Sequence, residues 1–109
     1  MSEPIVNVAV GGSSSVKPAS KLNFVLVKAN ADFIAQINEP NTIYQIRWTF
    51  DLKGRTLNVP ANCRFDFIGG QIKNGTIHWN NTRVINIYDY DILLNIQEQG
   101  TRITTLGQI

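Results

Sequence analysis

The chain has one cysteine, Cys63, one histidine, His78, and five serines, all at or before position 20 (Ser2, Ser13, Ser14, Ser15 and Ser20). A single cysteine excludes an internal disulfide. One His and one Cys do not make a zinc site. A catalytic serine needs a rigid seat beside a base, and every serine here lies in the N-terminal stretch, so a Ser–His–Asp triad is excluded. Cys63 alternates with Phe65 and Phe67. No histidine or basic helix start lies nearby in sequence to make it a thiolate, and it is expected to pack as a small apolar residue. Charged residues make up 17% of the chain, with both signs scattered and a net charge of +2. Arg47, Lys53, Arg55, Arg64, Lys73 and Arg83 stand singly and form no basic run, so no nucleic-acid partner is expected. No apolar run approaches membrane-spanning length, and Met1-Ser2-Glu3-Pro4 does not begin a secretory leader. The expectation is a protein made in a cytoplasm, with no membrane partner.

Two regions are present. Residues 1–23 open with Pro4-Ile5-Val6-Asn7-Val8-Ala9-Val10, a β-prone stretch with apolar residues on both faces, and continue through Gly11-Gly12-Ser13-Ser14-Ser15, a flexible linker by composition. Such a segment reads either as an extended arm or as an ordinary loose terminus. As an arm, Ile5, Val6, Val8 and Val10 would add an edge strand to another protein's sheet. Residues 24–109 are long enough for one small domain with a limited core.

Within that domain the apolar residues alternate over very short distances. Residues 22–27 read as a strand. Asn30-Ala31-Asp32 caps a short helix with Phe33, Ile34 and Ile37 on one side, and Glu39-Pro40-Asn41 ends it. Residues 43–52 alternate with Ile46, Trp48, Phe50 and Leu52 on one face. Leu57, Val59, Phe65, Phe67, Ile72, Ile77 and Trp79 follow, and the pattern returns after about twenty residues. Pro60, Gly69-Gly70, Asn74-Gly75 and Asn80-Asn81 punctuate it; Asn74-Gly75 suits a tight turn, and Asn80-Asn81 suits left-handed corners or a ladder of side-chain amides. Strands this short form no sheet alone, but they fit coils with three short faces that stack on one another. Beyond Ile87 the periodicity weakens, so one or two coils are expected. The fold class is therefore mainly β: a short parallel β-helix, or β-solenoid, with one small capping helix, preceded by the extended arm.

Asn41-Thr42-Ile43-Tyr44-Gln45-Ile46-Arg47, Phe50-Asp51-Leu52-Lys53-Gly54, Val59-Pro60-Ala61-Asn62-Cys63, Phe65-Asp66-Phe67-Ile68-Gly69-Gly70 and Lys73-Asn74-Gly75-Thr76-Ile77 resemble the opening of right-handed parallel β-helix proteins of the pectate-lyase-like superfold. The nearest likeness is to fibre and tail proteins of crAss-like bacteriophages. The resemblance covers residues 24–87. It implies a right-handed coil, a helical N-terminal cap and a structural role on a virion, as a head- or tail-fibre component. A homotrimer is expected, because a short solenoid with an uncapped end gains from burying that end against sister chains. The arm would then hold the protein to a capsid or other virion protein.

Candidate contact residues for a host surface glycan or a sister subunit are Trp48, Trp79, Tyr88 and Tyr90. The two tryptophans fall in the apolar phase of their strands and so also read as core. Polysaccharide-cleaving β-helices need clustered carboxylates. Asp51 and Asp66 each oppose an apolar face and read as solvated, and Asp89-Tyr90-Asp91 places two carboxylates on one side of an extended strand. No catalytic residue, cofactor or metal is expected, and His78 is expected to face outward. A carbohydrate-binding module or a small polysaccharide depolymerase is the alternative to the structural role.

Overall fold

The computed structural model describes residues 21–106. The strands are β1 (Asn23–Leu26), β2 (Thr42–Ile46), β3 (Thr49–Asp51), β4 (Thr56–Asn58), β5 (Arg64–Phe67), β6 (Gln71–His78), β7 (Thr82–Asn86), β8 (Leu93–Gln99) and β9 (Arg102–Leu106), with one helix, α1 (Phe33–Gln36), between β1 and β2. Every strand pairing is parallel. The first sheet has the order β9-β7-β5-β2-β1. In the second, β6 lies between β8 on one side and β3 followed by β4 on the other. The chain is thus a β-solenoid of about 4 turns, longer than the one or two coils that the sequence pattern supports.

Each coil stacks like residues over like. Along the first sheet Val25 pairs with Tyr44, Tyr44 with Phe65, and Phe65 with Val84. In the second, Phe50 lies over Ile72 and Leu57 over Ile77. These side chains fill the lumen; Tyr44, Ile46, Leu52, Leu57, Phe65, Phe67, Ile72, Ile77 and Val84 are wholly buried. Because strands are only about 4.8 Å apart, each inward side chain rests directly on its neighbour in the next coil. Aromatic edges add to this: the Tyr44 and Trp79 rings meet Phe65 edge-on at centroid distances of 5.8 and 5.6 Å.

The helix closes one end. Asp32 is its N-cap and accepts a hydrogen bond from the Ala35 N–H (3.0 Å). Four residues cannot hold a helix by backbone bonding alone. Gln36 supports this one: its amide donates to the carbonyls of Lys28 and Ala31 and accepts from the Lys28 N–H. Phe33 stacks on Phe50 with ring centroids 4.5 Å apart, so α1 lies over the second sheet where a further coil would otherwise sit.

Corners depend on left-handed backbone. Asn41, Asn62 and Asn81 precede successive strands of the first sheet and all have positive φ. Lys53 and Gly54, then Asn74, then Asn95, turn the second sheet in successive coils. Asn74-Gly75 is therefore not a tight turn between strands. Strand β6 runs through it, bent by Asn74 at φ 60°, and β3 and β4 pair with its two halves. The corner between the sheets comprises residues 47–48 in the first full coil, 68–70 in the next and 87–92 in the third. Its lengthening disguises the repeat beyond Ile87.

Candidate functional surfaces

The corners make two short amide ladders. Asn62 Nδ2 donates to Asn41 Oδ1 (2.9 Å), and Asn95 Nδ2 donates to Asn74 Oδ1 (3.0 Å), each pair 21 residues apart. The side-chain ladder expected of asparagine does form, but at these positions. Asn81 holds a left-handed corner as expected. The spacing of Asn41, Asn62, Asn74 and Asn95 was the available signal.

Beside α1 lies a cleft lined by Asp32, Phe33, Thr49, Asp51, Lys53 and Arg55. Its two carboxylates and its guanidinium are already engaged. Arg55 Nη2 lies 2.7 Å from Asp32 Oδ1. That guanidinium, with the Ala35 N–H, holds the Asp32 carboxyl below its ordinary value. The Lys53 backbone N–H donates to Asp51 Oδ1 (2.8 Å) and is the main reason that its carboxyl is held low as well. Both are stable anions serving as backbone caps. The other carboxylates are dispersed. Asp66 is not solvated: it is buried beneath Arg64, which binds it through two hydrogen bonds of 2.8 and 2.9 Å. Asp89 and Asp91 do not share an extended strand; Asp89 sits at a left-handed corner with φ 52°. Among the described residues no three His, Cys, Asp or Glu side chains gather as metal ligands.

The four aromatic candidates separate. Trp79 is core: it is 5% exposed, and its indole N–H donates to Glu98 Oε1 (2.8 Å). Tyr90 is partly buried, with its hydroxyl hydrogen-bonded to the Gly70 carbonyl. Tyr88 is 63% exposed and Trp48 is 52% exposed. Trp48 does not share the inward face of Ile46, Phe50 and Leu52, because it lies in the corner at residues 47–48, between β2 and β3, where the chain leaves one sheet for the next. Ile5, Val6, Val8 and Val10 lie outside the described residues. Cys63 is buried, with desolvation pushing its thiol up, and His78 is exposed; both follow the expectation.

The outer faces of the two sheets differ in chemistry. On the second, Thr49, Asp51, Lys73, Thr76, His78 and Gln99 point outward and Leu94 is the exception. On the first, the outward residues in successive strands are Phe24 and Leu26, Ile43 and Gln45, Arg64 and Asp66, Arg83 and Ile85, then Ile103 and Thr105. Phe24, Leu26 and Ile103 are each more than half exposed. A parallel sheet that is apolar on both faces is usually covered on both.

No family model, curated protein or solved structure matches this chain. No helix among the described residues is long and apolar enough to cross a membrane.

Proposed function

We propose that this chain is a structural virion protein: a component of a head or tail fibre, acting as a homotrimer, held to a capsid or other virion protein by its N-terminal arm and presenting the β-solenoid outward. The observation that carries this reading is the way that the corner and cleft polar groups are used. Asparagine amides bond to the next coil's asparagine, Asp32 and Asp51 cap backbone N–H groups, and Arg64 neutralises Asp66. That is the chemistry of a rigid spacer, in which each coil fixes the next. The capping helix and edge strand β1 lie at the end of the stack that the chain from residues 1–20 reaches first. The arm would therefore tether the capped end and leave the stack projecting. In many copies on one particle, individually weak contacts would act together.

The test is particle assembly with a chain lacking residues 1–12. The expected result is intact particles that have lost this protein. Particles that keep it at the normal copy number would overturn anchoring through the arm, and a protein absent from particles even at full length would overturn the virion assignment.

Exposed Trp48 and Tyr88 favour a second reading, a carbohydrate-binding module, since flat aromatic faces stack on sugar rings. A glycan array separates the two. Binding that disappears in Trp48→Ala or Tyr88→Ala with the fold unchanged supports the second reading; no binding to any host glycan removes it. A small depolymerase would release reducing ends or unsaturated products from host polysaccharide, and the absence of both would exclude that activity.

A further inference from the structure

We propose that the outer face of the first sheet is where copies of this chain meet, side by side, with their coil axes parallel. This rests on the structural reading above and names the surface that self-association would use.

The face is apolar at both ends and charged in the middle. Phe24, Leu26 and Ile43 lie toward the capped end, Ile85 and Ile103 toward the other, and the Arg64–Asp66 pair sits on β5, the central strand of the five. Arg64 and Asp66 are on the same coil level, two residues apart along the strand. That placement is self-complementary for one orientation. A threefold axis along the stack, as in the proposed homotrimer, keeps each level opposite its own level and sets one end of each strand's outer face against the other end in the neighbouring copy. Arg64 then faces Asp66 of the neighbouring copy, Phe24 faces Leu26, and the aliphatic part of Arg83 faces Ile85. An axis along the strands instead sets Arg64 against Arg64 and Asp66 against Asp66, so like charges would be brought together. The parallel arrangement pairs opposite charges and covers the exposed Phe24, Leu26 and Ile103. The second sheet, with Thr, Asp, Lys, His and Gln outward, has no such pattern and would stay in water.

The experiment is sedimentation or light scattering of the full-length protein across a concentration series, with circular dichroism to check the fold. The wild-type chain is expected to be oligomeric, and Phe24→Glu and Ile103→Glu each to weaken association at least about tenfold. Leu94→Glu on the second sheet is the control and should leave association unchanged. Asp66→Arg alone and Arg64→Asp alone should each weaken self-association, and mixing the two chains should restore it in part; because neither chain then holds the pair intact within itself, that recovery separates intersubunit pairing from damage to the fold. A chain that is monomeric at every concentration overturns the proposal, as does equal sensitivity to Ile103→Glu and Leu94→Glu. Restricted side-chain labelling across this face in a monomer would also overturn it, by showing that the chain's own N-terminal residues cover the face. Particle incorporation separates this from the virion assignment: a Phe24→Glu chain that is monomeric yet still joins particles would leave that assignment standing.

Discussion

At the scale of single residues, stability depends on backbone geometry that few side chains tolerate. A Cβ added to Gly75 would lie 2.6 Å from both the Arg55 carbonyl oxygen and the Leu52 Cβ, whereas one added to Gly54 would meet nothing within 4 Å. Gly54 has φ 79°, so its replacement carries only the left-handed penalty, about 1 kcal/mol. Gly75→Ala must push apart two backbones in adjacent coils, at about 1–3 kcal/mol. Urea unfolding should therefore rank Gly75→Ala as the more damaging, and the reverse order would refute the close packing. The asparagine corners allow a similar comparison. Asn62→Gly loses the amide bond to Asn41 but keeps the φ of 56°, whereas Asn62→Ala loses the bond and also carries about 1–2 kcal/mol of left-handed strain. Unfolding free energies should show Asn62→Ala as the less stable.

Titration follows from the same environments. Asp32 and Asp51 have carboxyls held below their ordinary value of 3.8. Their contribution to stability is present above that value and is lost as the pH falls through the depressed ones. In Asp32→Asn with Asp51→Asn, the melting temperature should fall less steeply on acidification below about pH 4 than in the wild type. Cys63 behaves in the opposite sense. Burial raises its thiol above 9.0, so the contribution is complete below that pH and is lost as the pH rises through the folded value. A native thiol that reacted with a disulfide reagent at neutral pH as fast as in the unfolded chain would contradict the burial.

At the scale of elements, α1 shows how a very short helix acquires a fixed place. Its own hydrogen bonding is minimal, and the stacking of Phe33 on Phe50 holds it against the coil. Phe33→Ala should cost about 3–5 kcal/mol and expose the end of the second sheet, seen as faster amide exchange in β3 than in β7. Equal exchange in the two strands would mean that the helix is ornamental. The helix was legible in the sequence because its cap, apolar side and terminating proline are local features. The course of residues 86–99 was not. Inward positions there are taken by polar residues as well as apolar ones, with Asn86 buried and Glu98 bonded to the Trp79 indole. An alternation of apolar and polar letters no longer marks the strand, although β7 and β8 pair as the earlier ones do.

For the whole molecule, each coil touches only its neighbours, so stability should be graded along the stack. Strands β2, β5 and β7 each have a partner on both sides, whereas β1 and β9 have one among the described strands. Amide exchange should be slowest in β5 and faster toward β1 and β9. Uniform protection would point to a single cooperative unit, or to ends covered by other copies, which dilution would expose.

The sequence by itself determined the architecture. Leu57, Val59, Phe65, Phe67, Ile72, Ile77 and Trp79 recur at a spacing set by the length of one coil, and all are buried. That period is a local property of the chain, because strand alternation and corner residues specify it without distant partners. Only the tertiary structure decided how many coils there are, which face of each sheet is apolar, and which polar groups are engaged. Trp48 leaves the core because it falls in a corner between the two sheets, Asp66 is buried because Arg64 folds over it, and the apolar outer face of the first sheet appears only when Phe24, Leu26, Ile43, Ile85 and Ile103 are aligned in register. Those residues are far apart along the chain, and it is the stacking of parallel strands about 4.8 Å apart that makes them one surface.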